Sequence, residues 1–589
     1  MEEKYPLRKY TAELHSSISR RKFVSGIGLG SLMLGMGNIP SQALARTYSP
    51  QPLLTGKNFD LSINYLPVNF TGRNRLATAI NGSVPAPILR WREGDRVSLK
   101  VTNNLAHDSS IHWHGMILQS GMDGVPGLSF KGIKPGETFH YQFDVKQSGT
   151  YWYHSHSGFQ EQTGMYGAII IDPAEPEPVA YDREHVILLS DWSDKPPEAI
   201  YAKLKKMSHY YNFRERTVID LWQDIKEKGA VQTWRDRAMW NQMRMSETDI
   251  ADVTGYTYTY LMNGMTPDED WKCLFKRGEK VRLRFINAAA MTIFDVRIPG
   301  LKMTVVTSDG QHIDPVTVDE FRIGVAETYD VIVEPLSDCA YTLFAQSIDR
   351  TGFTRGTLTP DLHLEAPVPE MDNAPTLGHS DMGMSHSPHH TNKKHQHHKH
   401  HSNSIDHTAS DSTKKIMHSK EEYSPQVDMR VANARNGLYD PGIGLRHHNR
   451  LYGRRVLNYG DLHNYYPTQD LREPGRDIEL HLTGNMNRYM WSIDGIKFAD
   501  AEPLLLDYGE RVRITLINDT MMTHPIHLHG MWSELETGEP KYLPRKHTVL
   551  VQPASKISYL VTADAPGRWA YHCHLLFHMP GMFREVRVR

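Results

Sequence analysis

Three stretches of the chain place an apolar side chain at every second position and open on the same kind of turn. They read Gly94-Asp95-Arg96-Val97-Ser98-Leu99-Lys100-Val101-Thr102-Asn103, Gly278-Glu279-Lys280-Val281-Arg282-Leu283-Arg284-Phe285-Ile286-Asn287 and Gly509-Glu510-Arg511-Val512-Arg513-Ile514-Thr515-Leu516-Ile517-Asn518. A period of two predicts a β-strand with one buried face and one face wetted through its Lys, Arg, Ser or Thr side chains. The same wording used three times predicts three sandwiches built on one plan. The copies begin at residues 94, 278 and 509, so the second interval exceeds the first and predicts an insertion before the last sandwich.

That insertion is expected between about Glu370 and Glu422, where Met, His, Ser, Lys and Asn replace nearly all large apolar residues. Such a composition does not supply a packed core and predicts disorder. A second departure, about Pro196 to Met245, has Lys, Glu, Arg, Trp and Met at helical spacing with few turn signals, and predicts a helical excursion from the middle sandwich. The expected organisation is a leader at 1–45, sandwiches at 46–178, 179–365 and 430–589, and a His/Met-rich linker at 366–429.

Length and charge then narrow the class. A chain of 589 residues has room for three or four domains. Lys plus Arg number 66 against 68 Asp plus Glu, a formal charge of -2, which supplies no field for nucleic acid and excludes that partner. Beyond residue 45 no apolar run reaches the ~20 residues of a membrane span, so none is expected in the mature form. At the N-terminus, Ser19-Arg20-Arg21-Lys22-Phe23-Val24, a Gly-diluted apolar stretch to Ile39, and Ala43-Leu44-Ala45 resemble a twin-arginine export signal with a cleavage site. The expected partner is the twin-arginine export machinery and the expected compartment a bacterial periplasm. That compartment is oxidising, so Cys273 and Cys339 form either a disulfide or a pair of free buried thiols.

Only 3 Cys accompany 33 His and 26 Met, a surplus of nitrogen and thioether donors that makes copper the first metal to consider. Outside the His-rich stretch, four His-x-His pairs stand at His112/His114, His154/His156, His527/His529 and His572/His574. The first pair follows Asn103 at the same two offsets at which the third follows Asn518. The second follows Gly149 as the fourth follows Gly567. In an extended segment residues i and i+2 share a face, so each pair presents two imidazoles side by side. Matching pairs from the first and last sandwiches predict eight imidazoles converging at the interface between those domains. The middle sandwich has Val296 and Ile298 at the equivalent offsets and is read as a spacer. Cys573 lies between His572 and His574 and alternates to the opposite face, where His524 and His578 join it. A His₂Cys set with a weak axial Met is the signature of an electron-transferring blue copper.

His112-Trp113-His114-Gly115, Tyr153-His154-Ser155-His156, His524-Pro525-Ile526-His527-Leu528-His529-Gly530 and His572-Cys573-His574-Leu575-Leu576-Phe577-His578 resemble the four copper motifs of multicopper oxidases. Asp191-Trp192-Ser193-Asp194, Tyr210-Tyr211-Asn212-Phe213, Gly453-Arg454-Arg455-Val456-Leu457 and Gly530-Met531-Trp532-Ser533-Glu534-Leu535 are similar to the CopA-type copper-resistance branch. The resemblance implies an all-β fold of three cupredoxin-like domains holding four copper ions. It assigns the type 1 copper to His524, Cys573 and His578, the type 2 copper to His112 and His527, and the type 3 pair to His114, His154, His156, His529, His572 and His574. It implies four one-electron oxidations coupled to reduction of dioxygen to water.

Two residues carry alternatives. Asp123, in Gly121-Met122-Asp123-Gly124, matches the family's acidic residue near the cluster and is able to relay protons; the other reading is a turn Asp before Gly124. Met582 is one position short of the family's axial Met, where Phe583 stands, so either a one-residue contraction keeps Met582 axial or the axial site lacks sulfur and faces Phe583. For the insertion, His379, His386, His389, His390, His395, His397, His398, His400, His401, His407 and His418 with Met382 and Met384 are donors for Cu(I) and Cu(II). The choice is between copper gathering and an inert linker. The expected activity is oxidation of Cu(I) to Cu(II), with phenols as further substrates. The alternatives are copper sequestration through the tract and a laccase-like phenol oxidase.

Overall fold

The computed structural model describes residues 51–378, 380–383 and 416–589. The expected leader and the centre of the His/Met-rich stretch, from Met384 to His407 together with His379, lie outside the described residues. The rest is mostly β, arranged as three successive pairs of sheets.

The three repeated strings form the strands Arg96–Asn103, Val281–Asn287 and Arg511–Asn518, each interior to its sheet. Each has a parallel neighbour on one side: Asn58–Val68, Arg183–Trp192 and Arg476–Asn485. Each has an antiparallel neighbour on the other: Thr138–Asp144, Thr328–Val333 and Ser555–Thr562. Val97, Leu99 and Val101 are buried against the facing sheet, as the period of two requires. Aromatic contacts join the two sheets of each pair, with Trp91 and Phe143 5.7 Å apart in the first and Phe285 and Phe321 5.5 Å apart in the second. In the third, the hydroxyls of Tyr559 and Tyr571 meet across the gap.

The wetted face predicted for the middle strand is absent: every residue of Val281–Asn287 is buried, Arg282 and Arg284 included. A neighbouring sandwich covers that face. Arg282 donates to Asp330 at 2.6 Å, and Arg284 to Glu184 at 2.7 Å and to Thr150 of the first sandwich at 2.8 Å. Buried guanidinium groups need such paired carboxylates to be tolerated.

Between Arg183–Trp192 and Thr259–Met262 come the helices Pro197–Leu204, Val218–Lys228 and Ala230–Met243. Thr217 caps the second of these reciprocally with Asp220. Among the described residues no helix is long and apolar enough to cross a membrane.

Two expectations are corrected. The flanks of the His/Met-rich stretch are not core-free, because Leu377 and Met382 are buried in the main core and His418 and Glu422 pack into a polar cluster. Cys273 and Cys339 are free, and only Cys273 is buried. Cys273 and Tyr341 both stand opposite Leu358, on either side of the strand Phe353–Thr359. Two inter-strand spacings, about 9–10 Å, thus separate their strands, beyond the ~7 Å that a disulfide bridges. Burial pushes the Cys273 thiol well above its ordinary range.

Candidate metal centres

The second sheet of the first pair pairs His112–His114 with Gly149–His154 so that His112 faces His154. In the third pair, His524–Leu528 runs against Gly567–Cys573 with His527 facing His572. Alternation then does the sorting: Trp113, between two imidazoles, turns into the core against Trp91 and Tyr153. The corresponding strand of the middle sandwich carries buried Val296 and no imidazole.

The eight imidazoles of the four pairs come together. The rings of His112 and His529 stack at 4.0 Å and those of His114 and His527 at 3.7 Å, although each pair joins opposite ends of the chain. His156 Nε2 lies 3.4 Å and His529 Nε2 3.0 Å from His572 Nε2, which makes one three-imidazole set. His114, His154 and His574 make another, with ring centroids 5.0 to 5.7 Å apart. His112 and His527 remain as a pair at 5.8 Å.

Several of the outer nitrogens are held by acceptors. His112 Nδ1 donates to the Asp123 carbonyl at 2.7 Å and His529 Nδ1 to Asp123 Oδ2 at 2.9 Å, so one buried residue orients an imidazole from each end of the chain. His527 Nδ1 donates to the His547 carbonyl at 2.6 Å and His154 Nδ1 to the Ser155 carbonyl at 3.0 Å, with Glu161 Oε2 close beside the latter ring nitrogen at 2.6 Å. Fixing the outer N–H leaves the inner lone pair free for a metal. Gly124 makes the Asp123 turn possible: its φ is +82°, and a Cβ there would come within 1.8 Å of the Ile111 carbonyl oxygen.

Burial, then repulsion among neighbouring rings, holds His114, His154, His156, His527, His529 and His574 well below the ordinary imidazole value. Burial brings His572 down to about 4. These rings are neutral near pH 7, the state in which an imidazole ligates.

A separate set lies on the opposite face of the same strand. Cys573 Sγ is 3.5 Å from His524 Nδ1 and 3.8 Å from His578 Nδ1, and the two nitrogens are 3.3 Å apart. All three residues are fully buried. The outer nitrogen of His524 contacts the Thr520 hydroxyl at 2.7 Å, and that of His578 donates to Asp252 Oδ2 at 2.6 Å. Trp491 stacks on His578 at 3.9 Å and shields the set. Met582 is fully buried, and its carbonyl accepts from the Cys573 N–H at 3.0 Å. The Phe583 ring instead stacks on His572, so it faces the eight-imidazole side and not the thiol.

Asp252, Glu161 and His547 belong to these surroundings and carried no motif. His547 is buried with its ring 4.7 Å from that of His114, and its nitrogens group with those of His114 and His527. Asp252 comes from the middle sandwich, which is therefore more than a spacer.

The donor chemistry fits copper. Seven ring nitrogens, His112 Nε2, His114 Nδ1 and Nε2, His154 Nε2, His527 Nε2, and His574 Nδ1 and Nε2, are buried without a hydrogen-bond partner, so each of five imidazoles has at least one unpaired nitrogen. Each such orphan costs about 1–3 kcal/mol unless an ion takes its lone pair. Eight imidazoles suit copper, and one thiolate with two imidazoles suits a blue copper.

Comparison with known proteins agrees with this geometry. Family models described as multicopper oxidase match residues 62–176, 183–361 and 472–589. A copper resistance protein A homolog of Pseudomonas syringae pv. tomato is 56% identical over 587 residues, covering 97% of this chain and 99% of its own length. Copper resistance protein A of Escherichia coli is 54% identical over 603 residues, with 97% and 99% covered. Among solved structures, Fet3p, a multicopper oxidase that functions in iron import, superposes with a TM-score of 0.60 at 20% identity, covering 91% of this chain and 90% of its own. The laccase from Botrytis aclada gives 0.59 at 20% identity, with 92% and 88% covered; both likenesses show the fold. The chain belongs to the multicopper oxidase family. It is a copper-resistance multicopper oxidase, a copper-dependent oxidoreductase that takes dioxygen as its acceptor.

Proposed function

We propose that this chain is a periplasmic cuprous oxidase that converts Cu(I) to Cu(II), accepts phenols as further donors, and reduces dioxygen to water. One observation carries the reading: Cys573 shares a centre with His524 and His578, while its two chain neighbours belong to the eight-imidazole cluster. Four copper ions would be held, type 1 by His524, Cys573 and His578 with Met582 as a further sulfur donor, type 2 by His112 and His527, and the type 3 pair by His114, His154, His156, His529, His572 and His574. The position of the Phe583 ring supports Met582. Copper bound in these sets supplies the one-electron steps and the place where dioxygen is reduced.

The chain's own groups do the rest. Asp252 joins His578 to the middle sandwich, and Tyr489 donates its hydroxyl to the same carboxylate oxygen at 2.8 Å. A carboxylate there attracts a cationic donor and fixes the outer N–H of His578. Asp252→Asn is expected to slow turnover with Cu(I) about 10–100-fold and turnover with a neutral diphenol less, as measured by dioxygen uptake with each donor. Equal losses with both would count against a metal-ion substrate, and uptake with diphenols but none with Cu(I) would leave a phenol oxidase.

Asp123 Oδ2 accepts from His529 and its carbonyl from His112, so it is placed to hold and pass a proton beside the cluster. Asp123→Asn is expected to lower steady-state turnover by about 10²-fold or more while anaerobic bleaching of the blue chromophore by donor keeps its rate. If bleaching slows in parallel, Asp123 acts on electron entry or folding instead.

The Arg-Arg leader and small-residue cleavage pattern support export by the twin-arginine route to the periplasm. The sequestration alternative makes the opposite prediction for a chain lacking residues 384–415. If cellular copper protection vanishes while dioxygen uptake persists, storage is the better description.

A further inference from the structure

We propose that His418, Glu422, His481 and Asp519 form a further metal site, separate from both centres above, which takes a divalent ion of the Cu(II)/Zn(II) class through two imidazole nitrogens and two carboxylate oxygens.

The four side chains converge on one point. His481 Nδ1 is 2.6 Å from Asp519 Oδ2 and 3.3 Å from Glu422 Oε2; His418 Nδ1 is 2.6 Å from Glu422 Oε2 and 3.7 Å from Asp519 Oδ2. The two rings stand 5.0 Å apart, and all four side chains are buried.

What surrounds the donors is the stronger argument. His418 Nε2 donates to the Val431 carbonyl at 3.1 Å, and His481 Nε2 to Glu479 Oε1 at 3.2 Å. A metal-bound histidine likewise gives its far N–H to a carbonyl or carboxylate; here each near Nδ1 shares a proton with a carboxylate, and a bound cation would take that proton's place. Both carboxylates follow the same rule. Asp519 Oδ1 accepts the Val431 N–H at 2.6 Å and Glu422 Oε1 the Ser419 N–H at 3.1 Å, which leaves Oδ2 and Oε2 to the shared centre. Two carboxylates balance a divalent charge in a buried place, and an N₂O₂ set suits borderline cations, Cu(II) above Zn(II) in affinity.

The location adds a reason for a site here. His418 is the last histidine of the His/Met-rich stretch, at the point where the described chain resumes. Asp519 is followed by Thr520, whose hydroxyl contacts His524. In chain order the four donors start at the end of the tract and precede His524, and they include no residue of the copper centres. The proposal holds whether or not the donor is Cu(I).

The test uses the full-length, copper-loaded protein. Equilibrium dialysis against Zn(II), and separately against Cu(II), is expected to give one fewer bound equivalent for His481→Gln and for His418→Gln than for the unaltered chain, with Cu(II) displacing the zinc. Crystals of the unaltered chain soaked in Zn(II) are expected to show an anomalous peak at the zinc edge between the four side chains, a readout that does not depend on either variant folding. Unchanged stoichiometry in both variants, or zinc peaks only elsewhere, would overturn the proposal and leave a buried network of ion pairs.

Discussion

Replacing Cys573 with serine is expected to abolish dioxygen uptake, by at least about a thousandfold, or some 4 kcal/mol of barrier, while the eight-imidazole cluster keeps its metal. The thiol is the one anionic donor of its set, beside two imidazoles within 4 Å. Its backbone is continuous with His572 and His574, which face the other way, so under the proposed function the residue that would receive an electron is one peptide from the cluster that would use it. Serine keeps the shape of the strand and its hydrogen bonds but supplies a hard oxygen with a much higher pKa, a poor copper ligand. The intense blue absorption should vanish, and metal analysis should find three copper equivalents in place of four. Turnover surviving in this variant would remove the electron route on which the functional reading rests. Loss of all four equivalents would mean that the two centres do not load independently.

The strands and pairs named from sequence carry local signals. A period of two needs only neighbours to be visible, which is why Val97, Leu99 and Val101 were legible as a buried face, and His-x-His works by the same alternation. The wetted face expected for Arg282 and Arg284 was misread because burial of a strand's second face depends on a neighbouring sandwich that alternation does not encode. Asp123 was legible through its motif, but other groups beside the imidazoles were invisible for a related reason. Asp252 reaches His578 from 326 positions away, and Glu161 and His547 carry no spacing pattern. Composition likewise marked residues 370–422 as core-free, yet single side chains such as Met382 and His418 are packed by contacts that an average over a window erases.

Lys546 is the other position where one substitution should have a large effect. Its ammonium is fully buried, 3.1 Å from Asp309 Oδ2 and 3.0 Å from Glu327 Oε1, both carboxylates of the middle sandwich. It also donates to the Ser308 hydroxyl at 3.0 Å. Burial alone would lower its pKa, but the two carboxylates reverse that and hold the amine charged far above its ordinary range. Lys546→Met fills similar volume and leaves two buried carboxylates with no cation between them, a loss of about 3–5 kcal/mol. The damage should reach the metal sites. Asp309 Oδ2 also accepts the N–H groups of His547 and Thr548 at 3.1 Å each, and the His547 carbonyl holds His527 Nδ1. Once Asp309 is repelled or takes a proton, that segment loses its anchor and the His112/His527 pair its alignment. The expected result is a lower thermal midpoint together with about 10–100-fold weaker copper binding at that pair, read by melting curves and by the type 2 paramagnetic resonance signal. Lys546→Arg, which keeps the charge but not the shape, should lie between. A Lys546→Met chain with an unchanged midpoint would mean that the carboxylates find another cation, and that the middle sandwich does not brace the cluster through this contact.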